Sequence, residues 1–160
     1  MALKKLFRVV ATGGTFDEIH AGHIALLSKA FEVGDKVIIG VTSDEFVKGK
    51  KKINHDFSQR VLHLKETIRK EFGSHVNYEI AELDSEFGPA VTTGDVGALI
   101  ASAETQEKGD RLNEIRKKNG LVPAQIITVP LVKAEDGKPM SSTRIRAGEI
   151  DRNGRLLRES

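Results

Sequence analysis

The chain has 160 residues, and its 25 Lys and Arg against 23 Asp and Glu give a net charge of +2, which argues against a dedicated nucleic-acid-binding protein. Its length predicts one domain over residues 1–160, and the absence of Cys excludes disulfides, thiolate zinc sites and a cysteine nucleophile. No apolar run is long enough for a signal peptide or a membrane span, so we expect a cytoplasmic protein with no membrane partner.

Five short apolar runs predict β-strands. They are Leu6–Ala11, which ends before Gly13-Gly14, then Val37–Val41, Val76–Ile80, Ala98–Ala101 and Ile126–Val129. The second run is apolar throughout, as expected of a strand that is covered on both faces. The third run alternates between polar and apolar residues, which is typical of a strand nearer the edge of a sheet.

Segments with helical periodicity separate these strands. They are His20–Val33, Phe57–Phe72 and Glu104–Asn119. Asp56 and Gln59 resemble a capping box at the start of the second helix, and Gly120 is expected to cap the end of the third. Strands that alternate with helices predict an α/β fold, with a Rossmann-like, parallel five-stranded sheet flanked by helices.

The segment after the first strand is the first candidate site, because open parallel sheets bind ligands beyond the C-terminal ends of their strands. It reads Gly13-Gly14-Thr15-Phe16-Asp17-Glu18-Ile19-His20-Ala21-Gly22-His23. The two glycines allow a tight turn and a close approach to a ligand. The helix that follows favours an anion at its N-terminus, and both histidines can donate hydrogen bonds to phosphate oxygens. Any one of these residues is as compatible with a plain turn or helix cap, but the cluster favours a phosphate site.

Other well-known phosphate and metal motifs are missing from the sequence. There is no G-x-x-x-x-G-K, no G-x-G-x-x-G after the first strand and no H-E-x-x-H. Asp17 and Glu18 near the two histidines do not by themselves make a metal site, so we expect no metal bound by the protein alone.

The segment Met140-Ser141-Ser142-Thr143-Arg144-Ile145-Arg146, after the fifth strand, is the second candidate site. Three hydroxyls at a helix start, followed by arginines, suit a polyphosphate, because the hydroxyls bond its oxygens and Arg neutralises its charge. Alone, this pattern is also an ordinary helix N-cap. Together with the histidine-containing segment, the pattern becomes a specific indication of a polyphosphate site.

These two motifs, His-x-Gly-His and Ser-Ser-Thr-x-x-Arg, resemble those of the nucleotidyltransferase superfamily. Its members transfer a nucleoside monophosphate from a nucleoside triphosphate to a phosphate acceptor. Within it, the chain is most similar to the archaeal and eukaryotic type of phosphopantetheine adenylyltransferase, from about Arg8 to Arg146. Glu18 stands where many members have Pro, and Ala103 replaces a common Glu. Further matches are Gly40–Asp44 with Lys48, Leu83-Asp84 with Gly88-Pro89, Ser102–Thr105 with Gly109, Asn113, Arg116 and Gly120-Leu121.

The resemblance implies adenylyl transfer from ATP to 4′-phosphopantetheine, which gives dephospho-coenzyme A and pyrophosphate in coenzyme A biosynthesis. It implies catalytic roles for His23, His20 and Lys48, with Thr15 and Lys48 holding the acceptor phosphate. Mg²⁺ is expected to accompany ATP, held largely by substrate and water. We expect a monomer or a small homo-oligomer. The implied ATP-binding residues are Gly14, Thr15, Phe16, His20, His23, Arg116, Ser141, Ser142, Thr143 and Arg144.

Several alternatives stay open at this point. The chain could be a sister nucleotidyltransferase that uses nicotinamide mononucleotide or CTP, or a nucleotide-binding module without catalysis. An RNA-binding role for the lysines at positions 48 and 50–52 is disfavoured by the seven Phe, one Tyr and no Trp, because RNA bases stack on aromatic side chains. Asn113 and Arg116, three apart, lie either on a solvated helix face or at the nucleotide. Arg60 likewise either has a functional role or only pairs with a neighbouring carboxylate.

Overall fold

The computed structural model describes residues 5–50, 52–88, 94–102 and 106–157. Its centre is a parallel sheet of five strands in the spatial order β3-β2-β1-β4-β5. This confirms the predicted α/β sheet, and the alternating third strand lies at an edge as expected. The strands are β1 (Phe7–Gly14), β2 (Gly34–Thr42), β3 (Tyr78–Leu83), β4 (Val96–Ser102) and β5 (Gln125–Val129).

Five helices connect or follow the strands in the described ranges. The Asp56–Gln59 capping box forms in both directions, and Gly120 follows the fourth helix with a φ of 76°. The predicted helix start at Glu104 lies outside the described residues, as do Lys51, Pro89, Ala103 and Thr105 of the predicted motifs. Of the helices that the structure describes, none has both the length and the apolar character needed to span a bilayer. The helices are α1 (Ala21–Val33), α2 (Asp44–Val47), α3 (Phe57–Phe72), α4 (Gln106–Lys118) and α5 (Ser142–Arg146).

Hydrophobic clusters cover both faces of the sheet. Because successive residues of a strand point to opposite faces, Val10 and Ala11 of β1 belong to different clusters. The predicted run Val37–Val41 is buried along its whole length, as expected of a strand with both faces covered. Burying these faces holds the C-terminal ends of β1 and β4 side by side. One cluster includes Val10, Leu27, Ile39, Leu64, Ile68 and Ile100; the other includes Ala11, Ile38, Val96, Leu99 and Leu112.

The tight turn after β1 falls on Phe16, which corrects the expectation that the two glycines form it. Gly13 and Gly14 continue the strand, because they pair with Gly40 and Val41 of β2. A Cβ on Gly13 would lie 3.1 Å from the Gly40 carbonyl oxygen, so the small residue is needed for close strand packing. Phe16 has a φ of 55°, a left-handed conformation that costs a non-glycine residue roughly 1–2 kcal/mol. Burial of its ring, which is 1% exposed, offsets that cost.

The chain beyond β5 forms a small unit that apolar periodicity did not predict. Two short antiparallel bridges, Lys133 with Pro139 and Ile150 with Leu156, shape it. Ala134, Met140 and Ile150 form its own buried cluster. This unit carries α5 to the C-terminal edge of the sheet, where the candidate site lies.

Candidate active site

A cavity of about 400 Å³ opens beyond the C-terminal ends of β1, β4 and β5. The two sequence motifs line it together, since the first lies at the end of β1 and the second in α5. Ser142 Oγ donates to the Glu18 carbonyl oxygen at 3.0 Å, which joins the motifs directly. Of the predicted ATP-binding residues, the cavity brings together Gly14, Thr15, Phe16, His20, His23, Ser141, Ser142 and Thr143.

His20 and His23 hold each other at the start of α1. His20 is the N-cap, and its Nδ1 accepts a hydrogen bond from the Gly22 amide at 3.0 Å. His23 Nδ1 accepts from the His20 amide at 3.1 Å, and the two ring centroids are 4.0 Å apart. A neutral imidazole whose Nδ1 accepts carries its proton on Nε2. The helix cap therefore fixes the tautomer of both rings and leaves Nε2–H as their donor.

The charge state of His20 follows from its burial. Only 9% of the residue is exposed, and burial lowers its pKa from 6.5 to about 4. His20 is therefore neutral at pH 7. The ring of Phe16 packs against His23, with centroids 5.0 Å apart, so the strained turn also supports the second histidine.

Asp17 is a buried carboxylate that ties three segments together. It accepts hydrogen bonds from the amides of Asn54 and His55, each at 2.9 Å, and from Arg146 Nη1 at 2.8 Å. Burial alone would raise the pKa of Asp17, but the hydrogen bonds from Asn54, Arg146 and His55 outweigh it and lower the pKa below 3.8. The ionised carboxylate thus anchors both the chain before α3 and the guanidinium of Arg146.

Arg146, rather than Arg144, is the arginine of the second motif that lines the cavity. Its Nη2 also donates to Thr143 Oγ1 at 3.2 Å. Helical spacing could have shown this, because Arg146 lies four residues after Ser142 and three after Thr143, on the same helix face.

Arg144 lies away from the cavity, which corrects the expected phosphate contact. Its guanidinium forms ion pairs with Asp136 and with Glu149, the latter over 2.8 Å between Nε and Oε2. It also donates to the Pro139 carbonyl oxygen at 3.3 Å. Two carboxylates already neutralise this side chain, so it fastens α5 to its neighbouring loops.

The structure does not bring Arg116 to the cavity either. The residue is 1% exposed, and it donates to the carbonyl oxygens of Val122 and Val96 at 2.9 and 3.3 Å. Val96 is the first residue of β4, whereas the cavity lies at the last residue of that strand. Arg116 therefore lies at the opposite end of the sheet from the cavity. Asn113 exchanges two hydrogen bonds with the backbone of Ala124. Both side chains hold the α4–β5 connection, and Arg116 does not line the cavity proposed for ATP.

The two predicted acceptor residues lie in different surroundings. Thr15 lines the cavity, and its hydroxyl shares a 3.1 Å hydrogen bond with the hydroxyl of Thr42 at the end of β2. Lys48 is the C-cap of the short helix α2 and is exposed. It is not among the residues that line the 400 Å³ cavity.

A second, smaller cavity of about 110 Å³ adjoins the first. Leu83, Phe87 and Leu99 give it a mainly apolar lining, to which Glu86 adds a carboxylate. Gly13, Leu26, Ser102 and Lys108 line both cavities. The two spaces therefore meet at the C-terminal ends of β1 and β4.

One group of described side chains has the spacing of a metal site. Ligand atoms of Asp17, Glu18 and His55 all lie within 4.8 Å of one another. N–H donors already surround these carboxylates, because Glu18 accepts from Asn54 Nδ2 and Asp17 has the three donors described above. The group is therefore a hydrogen-bonded network that braces the site.

Comparisons with known proteins agree with this geometry. A family model described as cytidylyltransferase-like matches residues 11–148. The phosphopantetheine adenylyltransferase of Methanothermobacter thermautotrophicus is 42% identical over 98% of this chain and 93% of its own. That of Methanosarcina acetivorans is 44% identical over 94% of this chain and 97% of its own.

A solved structure supports the same fold. It is a protein of unknown function from Archaeoglobus fulgidus, 30% identical, with a TM-score of 0.69 over 75% of this chain and 87% of that one. The family match spans most of the chain and both motifs of the cavity. The chain therefore belongs to the cytidylyltransferase-like family and, within it, to the phosphopantetheine adenylyltransferases.

Proposed function

We propose that the chain transfers the adenylyl group of ATP to 4′-phosphopantetheine, giving dephospho-coenzyme A and pyrophosphate. The observation that carries this is one cavity lined by His20, His23, the three hydroxyl residues of the second motif and Arg146. Such a set suits a triphosphate whose charge must be bound and redistributed. The names of the relatives support 4′-phosphopantetheine as the acceptor.

The reaction needs no general base. A phosphomonoester has a second pKa of about 6, so the acceptor is mostly a dianion at pH 7. One of its oxygens attacks the α-phosphorus of ATP and forms a new P–O bond. The bond from that phosphorus to the oxygen that bridges to the β-phosphate breaks, and its electron pair leaves with pyrophosphate. Catalysis then consists of positioning and of stabilising the charge that builds around the α-phosphate.

The histidine pair supplies donors for that charge. His23 would donate from Nε2 to an oxygen of the α-phosphate as the transition state forms, and His20 would support the triphosphate beside it. Both protons are held on Nε2 before substrate arrives, because Nδ1 of each ring accepts a backbone hydrogen bond. Donors fixed in this way cost little reorganisation during the reaction.

The second motif would bind the outer phosphates. Ser141 and Thr143 would offer hydroxyl protons to the β- and γ-phosphates, because their oxygens accept hydrogen bonds in the structure. Ser142 would join them by exchanging its bond to the Glu18 carbonyl oxygen for one to phosphate, and Arg146 would offer a guanidinium that Asp17 orients. Gly14, Thr15 and Phe16 would lie along the nucleotide at the end of β1. Lys48 stays a proposed acceptor contact from the family resemblance.

We propose that Mg²⁺ enters together with ATP. The described lining of the cavity offers N–H and O–H donors and one carboxylate, Asp17, which already accepts from N–H groups. Because this lining offers mainly donors, phosphate oxygens and water would coordinate the cation. This is the coordination that Mg²⁺ commonly keeps in nucleotide sites. The ion would supply neutralising charge to the triphosphate.

The two adjoining cavities match the two parts of the acceptor. Its phosphate must meet the α-phosphate of ATP in the larger, polar cavity. Its uncharged arm would begin in the smaller cavity, where Leu83, Phe87 and Leu99 offer apolar surface. Burial of apolar groups there would favour an acceptor with such an arm over inorganic phosphate.

The experiment is an assay of the purified chain with ATP, Mg²⁺ and 4′-phosphopantetheine, with dephospho-coenzyme A detected by mass spectrometry. Parallel reactions replace the acceptor with nicotinamide mononucleotide, or ATP with CTP. We expect product with ATP and 4′-phosphopantetheine and little with either replacement. Preferred turnover of nicotinamide mononucleotide or CTP would overturn the proposal in favour of a sister transferase.

A further inference from the structure

Lys108 lies where the two cavities meet. It is the third residue of α4, and it lines both the polar cavity and the apolar one. Gly13, Leu26 and Ser102 share this position, but Lys108 is the only cation among the four. A molecule that extends from one cavity into the other must therefore pass Lys108.

The surroundings of Lys108 leave its charge incompletely balanced. Burial lowers the pKa of Lys108, Glu86 partly restores it, and Arg111 lowers it further. Glu86 is itself paired with Arg111, at 2.5 Å between Oε1 and Nη2. Across residues 5–50, 52–88, 94–102 and 106–157, Lys108 has no hydrogen bond and no ion pair within 4 Å. A half-buried ammonium in this state gains by meeting an anion.

We infer that Lys108 binds the phosphate of the acceptor. The inference rests on the proposed function, in which the acceptor has a charged phosphate at one end and an uncharged arm at the other. The phosphate must reach ATP in the polar cavity while the arm occupies the apolar one, so it stands at the junction. Among the residues that the structure describes at that junction, Lys108 is the cation, and a phosphate dianion there would pair with its ammonium.

This assignment differs from the one that the sequence favours. The family resemblance implies Lys48 as the acceptor contact, but Lys48 is exposed and lines neither cavity. The sequence alone could not single out Lys108, because the spacing of α4 does not show which helix face meets the ends of β1 and β4.

Four variants test the inference. Lys108→Met removes the charge and keeps an unbranched side chain with good helix propensity, so α4 should fold. Lys108→Arg keeps a cation. Lys117→Met is the matched control, because Lys117 is exposed on the same helix and lines neither cavity. Lys48→Met tests the rival assignment.

The kinetic result expected for Lys108→Met is a rise of about tenfold to a hundredfold in KM for 4′-phosphopantetheine, the range that a charged hydrogen bond is worth. The KM for ATP should stay near that of the unmodified chain. Lys108→Arg should recover part of the loss, and Lys117→Met should behave like the unmodified chain. A rise in KM for ATP instead of the acceptor would overturn the inference.

A binding measurement separates a phosphate contact from a merely structural role. Calorimetry compares 4′-phosphopantetheine with pantetheine, which has the same arm and no phosphate. The unmodified chain should bind the phosphorylated form more tightly, and Lys108→Met should lose that preference while binding pantetheine as before. Equal weakening of both ligands would show that Lys108 only supports the fold, and would overturn the inference.

Two further outcomes separate this inference from the proposed function. An unmodified chain that forms no dephospho-coenzyme A would overturn both. A chain that forms the product, and in which Lys48→Met but not Lys108→Met abolishes the preference for phosphate, would overturn the inference alone and return the acceptor phosphate to Lys48.

Discussion

Arg60 donates a hydrogen bond to the carbonyl oxygen of Thr15 at 2.8 Å, although the two residues are 45 positions apart. The same guanidinium donates to the Thr42 carbonyl oxygen at 2.8 Å and to the His55 carbonyl oxygen at 3.1 Å, and it pairs with Asp44. Arg60 is fully buried. One side chain on α3 therefore fixes the ends of β1 and β2, and with them the edge of the cavity where Thr15 lies.

Replacing Arg60 with Met should destabilise the protein severely. The substitution leaves three backbone carbonyl oxygens without their buried donor, so we expect a loss of about 3–5 kcal/mol in the free energy of unfolding, as when one partner of a buried polar network is removed. Urea denaturation followed by circular dichroism measures it. Arg69→Met is the matched control, because Arg69 is exposed on the same helix, and should change stability by no more than about 0.5 kcal/mol. Similar losses in the two variants would contradict the structural role of Arg60.

The sheet could be predicted from the sequence because its strands obey simple burial rules. Val37–Val41 is apolar throughout, since helices cover both faces of β2, and Val76–Ile80 alternates, since β3 lies at an edge. The helix caps at Asp56 and Gly120 also depend only on neighbours in sequence. Local rules therefore suffice for these elements.

The details of the site depend on contacts that are remote in sequence. The turn falls on Phe16 because its ring is buried in the core, which no local propensity reveals. Arg144 and Arg146 look alike in sequence, and the distant carboxylates of Asp136 and Asp17 decide which one faces the cavity. Arg116 likewise donates a hydrogen bond to the first residue of β4, a contact that the sequence pattern of its own helix does not predict.

Replacing His23 with Asn should lower kcat by about 10²–10³, the scale for losing one donor to transition-state charge. In this variant the Asn side-chain oxygen can replace Nδ1 as the acceptor for the His20 amide, whereas the Nε2–H donor is lost. Steady-state assays and thermal unfolding should be run together. Turnover close to that of the unmodified chain would remove His23 from the mechanism, and a large drop in thermal stability would trace lost activity to the helix cap.

Replacing Arg146 with Gln should raise KM for ATP by at least about tenfold, since a charged hydrogen bond is worth about 1.5–3 kcal/mol. Arg144→Gln should leave KM for ATP nearly unchanged, because Arg144 pairs with Asp136 and Glu149 outside the cavity. Initial rates at varied ATP concentration compare the two variants. The reverse order of effects would place the phosphates on the other face of α5.

His20 should make stability depend on pH. Its pKa is 6.5 in an unfolded chain and about 4 in the fold, so between these values the unfolded state binds the extra proton. The stability linked to this group is fully present above pH 6.5 and is lost as the pH falls towards 4. A shift of this size corresponds to roughly 3 kcal/mol over that window.

The variant His20→Asn isolates this contribution, because Asn keeps an N-cap acceptor for the Gly22 amide and does not titrate. Urea denaturation at several pH values between 4 and 7 should show a steeper fall in stability for the unmodified chain than for the variant. Asp17 should not contribute in this window, because its pKa is already lowered below 3.8 and its stabilisation is lost only in stronger acid. Parallel curves for the two proteins would mean that burial does not lower the pKa of His20 in the fold, and would contradict a ring that stays neutral well below pH 6.5.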